Sequence, residues 1–299
     1  MPTVAKGRGK AAGKKSKSHA KAGATESAAP AAGPAEGDYP IDTGTATLER
    51  DHYSPEGWIL KVNGVPSSHV DLADPGRLDF EYMRWIAALI RSRFPPGDYD
   101  GTVSKLRALH LGGGACSMAR WIHSAYPNAR QVVVELDGRL AELVRDWFDL
   151  PRAPLLRLRV GEAGAVLAGL ADASRDLLIR DVFAGDKTPE ALTNLEFTEQ
   201  AARVLDAGGF YVVNCGDSPN LETAKREAAT IGTVFTYVAI VADPPMLKGR
   251  RYGNVIIAGS NAPIPAGPGF LRELLGGGVP AAHWDDEAVR KFSRYAIAY

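Results

Sequence analysis

Cysteine is nearly absent from this chain of 299 residues, which carries only Cys116 and Cys215. Two cysteines build no disulfide framework, and their scarcity fits a reducing, cytoplasmic setting. Long apolar runs are missing as well. No segment reaches the roughly eighteen uninterrupted apolar residues of a membrane span, and no apolar core of about seven residues follows the N-terminal charges as in a secretory signal. His52, His69, His110, His123 and His283 lack the spacing of metal ligands, so no metal is expected. Trp58, Trp85, Trp121, Trp147 and Trp284 form no stripe, which argues for packing and against a stacking platform for nucleic acid.

Net charge is also missing, but only as a sum. Seven of the 35 basic residues (Lys6, Arg8, Lys10, Lys14, Lys15, Lys17 and Lys21) precede any of the 35 acids. The remainder is mildly acidic behind a basic tail. Residues 1–44 are rich in Ala, Gly, Lys, Ser and Pro, with few large apolar side chains to offset the entropy of ordering. They read as a disordered extension, either a plain solubilising tail or one that touches anionic polymers weakly.

What is present is concentrated in residues 106–137, LRALHLGGGACSMARWIHSAYPNARQVVVELD. An apolar run ends in Gly112, Gly113 and Gly114, a helical pattern follows, and a second apolar run closes on Glu135 and Asp137. Residues without Cβ let a ligand lie on the backbone while a strand turns sharply into a helix. An acid one strand-helix-strand unit downstream can accept from the two hydroxyls of a ribose. A nucleoside ligand is the first hypothesis. The dinucleotide pattern G-x-G-x-x-G is incomplete, because Met118 or Ala119 stands where its last glycine belongs. Cys116 lies near a helix start, where a thiol can become acidic, but no His accompanies it and buried packing is the simpler reading.

Around this motif the pattern predicts three further parts. Residues 45–75 alternate apolar and polar positions about an Asn63-Gly64 hairpin signal, as a small antiparallel β-domain. A helix follows, opened by Asp74-Pro75 and stopped by Pro95-Pro96. Residues 76–261 then alternate strands (106–111, 131–136, 155–160, 176–183, 209–214, 235–242 and 254–259) with helices (116–126, 139–148, 190–205 and 221–231). The last two strands lack a clear helix between them and form an antiparallel pair. This is an α/β fold: a seven-stranded, Rossmann-like, methyltransferase-type doubly wound sheet. Residues 262–299 make an extension without an assigned role.

Ligands of such sheets lie beyond the carboxyl ends of the strands. There the chain places the three glycines, Glu135, Asp137, Glu162, Asp181, Asn214 and Asp217. Recurring acids suit hydroxyl and amine donors and a cationic ligand such as a sulfonium.

The runs HLGGGACSMARWI, VVVELDGRLAELVRDWF, LRLRVGEAGAVL, RDLLIRDVFAGDKTPEALTNLEF and VLDAGGFYVVN resemble the spermidine synthase family, in particular its bacterial spermidine synthase-like branch. GWILKVNGVPSSHVDLADPGRLDFEYMRWI resembles that family's N-terminal β-domain and the helix after it. The likeness covers about residues 45–260. It implies a polyamine aminopropyltransferase-like enzyme, with decarboxylated S-adenosylmethionine or S-adenosylmethionine as co-substrate, no permanently bound cofactor, a small amine acceptor and a homodimer. By resemblance Asp181 takes the position of the catalytic acid, Gly112 to Gly114 and Glu135 match the nucleoside site, and Glu162 matches the acid beside the adenine.

Several positions depart from the family pattern. Ala115-Cys116 replaces an Asp-Gly, Ala184 stands at a second acid with Asp186 two residues on, and Ser67 or Ser68 stands at a Gln. The family's Tyr aligns without gaps on Phe80, with Tyr82 off register, and Tyr252 in RRYGN matches a Tyr-Gly element. Arg250 and Arg251 either bind an anionic group or lie on a solvated loop. Three functions follow from this pattern: aminopropyl transfer through a partly altered acceptor site of Asp186, Tyr82 and Tyr252, methyl transfer on the same scaffold, or noncatalytic binding of an adenosine ligand.

Overall fold

A computed structural model describes residues 33–99, 105–185 and 187–299 of the chain. It opens on an antiparallel sheet of β1 (Gly37–Ile41), β2 (Gly44–Arg50), β3 (Gly57–Val62) and β4 (Val65–Asp71), paired in that order. Asn63 and Gly64 have φ of +51° and +80°, as a type I′ hairpin requires to match the twist of its strands. The sheet starts upstream of the expected boundary at residue 45. Within the stretch read as tail, Tyr39 packs edge-on against Trp147 with centroids 4.8 Å apart. Thr43 donates from its backbone and its hydroxyl to Asp137 at 2.7 and 2.8 Å. Long-range partners order a segment whose own composition argues against order. Residues 1–32, which hold the basic cluster, lie outside the described residues, as does Asp186.

Helix α1 (Glu81–Arg93) starts later than Asp74-Pro75 suggests. Asp74 instead folds a turn, accepting from Gly76 N at 2.9 Å. Past α1 the chain alternates: β5 (Arg107–Leu111), α2 (Ser117–Ala125), β6 (Arg130–Glu135), α3 (Gly138–Trp147), β7 (Leu156–Val160), α4 (Ala163–Ala168), β8 (Arg175–Arg180), α5 (Leu195–Val204), β9 (Leu205–Asp217) and α6 (Glu222–Val234). Then follow β10 (Tyr237–Ala242), the single turn α7 (Pro244–Leu247), β11 (Gly253–Ser260), α8 (Pro268–Leu275), β12 (Ala282–Trp284) and α9 (Asp286–Phe292). Helix α5 is shorter than expected because Asn194 caps it, accepting from Phe197 N at 2.8 Å.

The large sheet has the order β12-β10-β11-β9-β8-β5-β6-β7. β9, β8, β5, β6 and β7 run parallel, and β11 is inserted antiparallel between β9 and β10. Seven of these strands match the expected set. The eighth, β12, comes from the C-terminal extension and pairs antiparallel with β10. That extension also supplies α8, against α1, and α9, against α6. Its short apolar segments acquire structure only by covering neighbours.

Two apolar clusters fill the interior. The larger spans α1, both faces of the central strands and the C-terminal helices. The smaller joins Leu48, Trp58, Leu60 and Val70 of the small sheet to Ala115, Cys116, Leu143, Val144 and Trp147. The small sheet thus shares a core with the glycine loop and α3 and does not hang from them. Among the described residues no helix is long and apolar enough to cross a membrane.

One charged pair lies inside this core. Arg180, at the end of β8, donates to both carboxylate oxygens of Glu227 on α6 at 2.7 and 2.9 Å, and to the Leu192 carbonyl at 2.7 Å. Side-chain exposures of 1% and 2% mean that neither charge has water to fall back on. Replacing Glu227 by Ala strands the guanidinium and is expected to cost about 3–5 kcal/mol in urea denaturation. The double replacement Arg180→Met with Glu227→Leu is expected to recover most of that loss, which separates an unpaired charge from lost packing.

Candidate active site

The chain leaves β5 through Gly112 (φ +93°) and Gly114 (φ +47°) and enters α2 through Cys116 (φ +60°). A Cβ on Gly112 would stand 2.1 Å from the Asp181 carbonyl oxygen, so only glycine fits. A Cβ on Gly114 would meet Ser68 Oγ at 2.6 Å. The small sheet braces the loop: Ala115 N donates to Ser68 Oγ at 3.0 Å, and Ser117 Oγ donates to the His69 carbonyl at 2.7 Å. Ala115 and Cys116 are buried in the smaller core cluster, where a carboxylate would be costly. Burial pushes the Cys116 thiol up to about 12, the pKa of an inert packing residue.

Glu135 faces this loop. Its Oε2 accepts from Gly113 N at 3.0 Å and Gly114 N at 3.1 Å, and its Oε1 accepts from Asp137 N at 3.0 Å. A carboxylate offers about four acceptor positions, so three are occupied by the protein's own backbone. A ribose diol would have to displace loop amides or share Glu135 with them. Next to it, Leu136 and Val160 are exposed apolar side chains at the ends of β6 and β7.

Most other acids at the strand ends serve the fold. Asp137 caps α3, accepting from Leu140 N at 2.8 Å, while its other oxygen holds Thr43. Burial alone would raise its pKa, and these donors together bring it below the usual carboxylate value. Glu162 caps α4 through Gly164 N and Ala165 N at 2.8 and 2.7 Å, and is exposed. Asp217 accepts from Ser218 N and Ala224 N, each at 2.7 Å. Asp137, expected as a ligand residue, is buried, with one carboxylate oxygen on the start of α3 and the other on Thr43.

Asp181 is different. It lies one residue past β8, half-buried, with Oδ2 accepting from the Tyr82 hydroxyl at 3.0 Å and Oδ1 from Asn214 Nδ2 at 2.9 Å. Burial raises its pKa above the usual carboxylate value, opposed by the two hydrogen bonds and by Arg180. Tyr82 is held well above its ordinary value, first by burial and then by Asp181, so it remains a donor. The ungapped alignment placed the tyrosine at Phe80. In the structure Phe80 precedes α1 and stacks on Tyr82 with centroids 6.1 Å apart, and it is Tyr82 that reaches the carboxylate.

Asn214, a strand-end residue by sequence, lies within β9, which runs on to Asp217. Its side chain is 1% exposed, and its Oδ1 is buried with no hydrogen-bond partner. The signal available was a lone amide closing the apolar run FYVVN. Tyr252 lies exposed on the rim just before β11, with β9 between that strand and β8. Arg251 pairs with buried Asp243, and Arg250 is exposed. Burial lowers His110 to about 4, leaving a neutral core imidazole beside Gln131. Among the described residues no three His, Cys, Asp or Glu side chains gather as around a metal ion.

No family model matches the chain. It is 29% identical over 147 residues to the polyamine aminopropyltransferase of Chromobacterium violaceum, covering 49% of this chain and 53% of that protein. The Neisseria meningitidis protein of the same name is 27% identical over 115 residues, covering 38% and 43%. The chain therefore spans about half the length of the curated relatives it matches. Among solved structures, human methyltransferase-like protein 13 in complex with SAH shares the fold at 18% identity, with a TM-score of 0.53 over 74% of this chain and 95% of that one. A probable spermidine synthase from Corynebacterium glutamicum is 50% identical, with a TM-score of 0.84, over 89% of this chain and 96% of that one. With half its residues shared across nearly that whole protein and a TM-score of 0.84, the chain belongs to the spermidine synthase family.

Proposed function

We propose that this chain transfers the aminopropyl group of decarboxylated S-adenosylmethionine to an amine. The observation that carries this reading is the Asp181 carboxylate, held from both sides by Tyr82 and Asn214, on a residue whose backbone packs against Gly112 of the glycine loop. An amine with a pKa of roughly 10 is an ammonium ion at neutral pH and has no lone pair to offer. Asp181 takes its proton, aided by the burial that raises its own pKa. The freed lone pair forms a bond to the carbon beside the sulfonium. That carbon–sulfur bond breaks toward sulfur, and neutral methylthioadenosine departs. The proton on Asp181 then passes to water.

On the nucleoside side, Gly113, Gly114 and Glu135 form the surface against which the adenosine lies, with ribose hydroxyls competing for the acceptor positions of Glu135. Leu136 and Val160 offer apolar contact to the base. In this reading Asp137 and Glu162 act at one remove, by capping the helices that begin at the site.

A second reading, methyl transfer from S-adenosylmethionine, is favoured by one feature. Ala115 is buried and uncharged where an acid would repel a methionine carboxylate. Calorimetry with the two sulfoniums separates the readings. Tighter binding of the decarboxylated form is expected, and tighter binding of the carboxylated form favours methyl transfer.

Incubation with decarboxylated S-adenosylmethionine and a panel of amines is expected to release methylthioadenosine. Asp181→Asn is expected to lower kcat by about 10²–10⁴-fold. Absence of methylthioadenosine with every amine overturns the reading. The pH profile tests the role of Tyr82. Its hydroxyl favours the ionised carboxylate, so Tyr82→Phe raises the Asp181 pKa further, and the acid limb of kcat moves to higher pH than in the wild type. An acid limb that stays in place denies Tyr82 that role.

A further inference from the structure

Helix α1 begins without a side-chain cap, yet its first turn sets the Tyr82 hydroxyl on Asp181, 99 residues further along the chain. The start of the helix is fixed from outside it, by the connection that descends from β4. At the head of that connection Asp71 Oδ1 accepts from Ala73 N and Asp74 N at 2.9 and 3.0 Å. At its foot Arg84 Nη1 reaches back from the helix to the Leu78 and Asp79 carbonyls at 3.1 and 2.7 Å. Arg77 stands between the two. Its guanidinium donates to Asp71 Oδ2 at 3.4 Å and to Asp79 Oδ1 at 3.1 Å, and lies 4.0 Å from Asp51 Oδ2. Asp51, in the turn after β2, also holds His69 Nε2 at 3.0 Å, and Asp71 accepts from Ser54 Oγ at 2.7 Å. The Asp51 and Asp71 side chains are only 8% and 6% exposed. The Tyr53 amide above all holds Asp51 below the usual carboxylate value. Burial alone would raise Asp71, and its four donors together bring it below that value too. Two buried carboxylates thus stay charged beside one guanidinium, and a planar fork of donors can serve both only from a single place.

We infer that Arg77 is a positioning residue for the Asp181 site: pinned to Asp51 and Asp71 of the small sheet, it sets where α1 begins and so seats the Tyr82 hydroxyl on Asp181. The strand that carries Asp71 also braces the glycine loop, through Ser68 Oγ and the His69 carbonyl. One cluster of charges therefore registers both the loop and the tyrosine against the same strand. The consequence for catalysis rests on the aminopropyl-transfer reading, in which the Tyr82 hydroxyl tunes the carboxylate that takes the proton. The geometric claim stands apart from it.

The test is a carbon-13 NMR titration of the Asp181 carboxyl in the full chain, its signal assigned by its loss in Asp181→Asn. Asp181 is faced by Tyr82 from α1, Asn214 from β9 and Arg180 from β8. The Tyr82 hydroxyl favours the ionised form, so unseating it raises the titration midpoint. Arg77 is 36% exposed, and replacing it opens no cavity in the core. Arg77→Met is expected to raise the midpoint by about half to one pH unit, in the direction of Tyr82→Phe. In a Tyr82→Phe background the same replacement is expected to add nothing, whereas a charge effect through space would persist there. An unchanged midpoint in Arg77→Met, or an equal rise with and without the Tyr82 hydroxyl, overturns the inference. Should Arg77→Met fail to fold, Arg77→Lys keeps the charge but loses the fork. It is expected to give a smaller rise that again vanishes with Tyr82→Phe, and a wild-type midpoint overturns the inference. Methylthioadenosine release separates the two claims. Where product forms, the acid limb of kcat is expected to move with the midpoint, and a limb that stays in place overturns the catalytic consequence. Absence of product with every amine overturns the transferase reading and leaves the placement of Tyr82 by Arg77 to the titration.

Discussion

Everything at the site depends on how closely two strand ends meet. Asp181 N donates to the Leu111 carbonyl at 2.8 Å, and the first residue past β5, Gly112, leaves no room for a Cβ before the Asp181 carbonyl oxygen. This contact joins the glycine turn to the carboxylate-bearing residue on which the proposed reaction rests. Because both partners are backbone of adjacent parallel strands, neither can drift without breaking the sheet ladder. The small sheet fixes the other side of the turn through Ser68 and the His69 carbonyl. The loop is thus preorganised by two sheets, and substrate binding need not order it.

The acids at the strand ends illustrate how a pattern can have a local cause. In a doubly wound sheet each parallel strand opens into a helix whose first N–H groups lack partners. An acid at that point is a cap before it is anything else, and Asp137, Glu162 and Asp217 act so. Glu135 is intermediate, since its donors belong to the glycine loop and not to its own helix. Asp181 stands apart because both of its partners are side chains from distant elements. A carboxylate held by a phenol and an amide keeps its charge accessible to a third group.

Much of this architecture was legible in the chain. The apolar runs, the three glycines and the Asn63-Gly64 turn identify strands, bend and hairpin because each reflects a local constraint on the backbone. The parts that escaped are those fixed from a distance. β1 and the turn after it are held by Trp147 and Asp137, about a hundred residues away in sequence. β12 has three residues and exists as a partner for β10. The choice between Phe80 and Tyr82 turned on where α1 begins, which its missing side-chain cap leaves unmarked in sequence. The importance of Asn214 is a matter of an unpaired oxygen, and no sequence pattern reports pairing.

Arg180 and Asp181 are consecutive and opposite in charge, yet they do different work. The strand sends Arg180 into the core, where Glu227 neutralises it and the Leu192 carbonyl ties down the far end of the loop that starts at Asp181. That loop is therefore tethered at both ends to the same strand terminus. The guanidinium next door favours the charged form of Asp181, but burial is the larger influence and holds the pKa of Asp181 above that of a free carboxylate. The ion pair thus anchors the far end of the loop that this carboxylate begins.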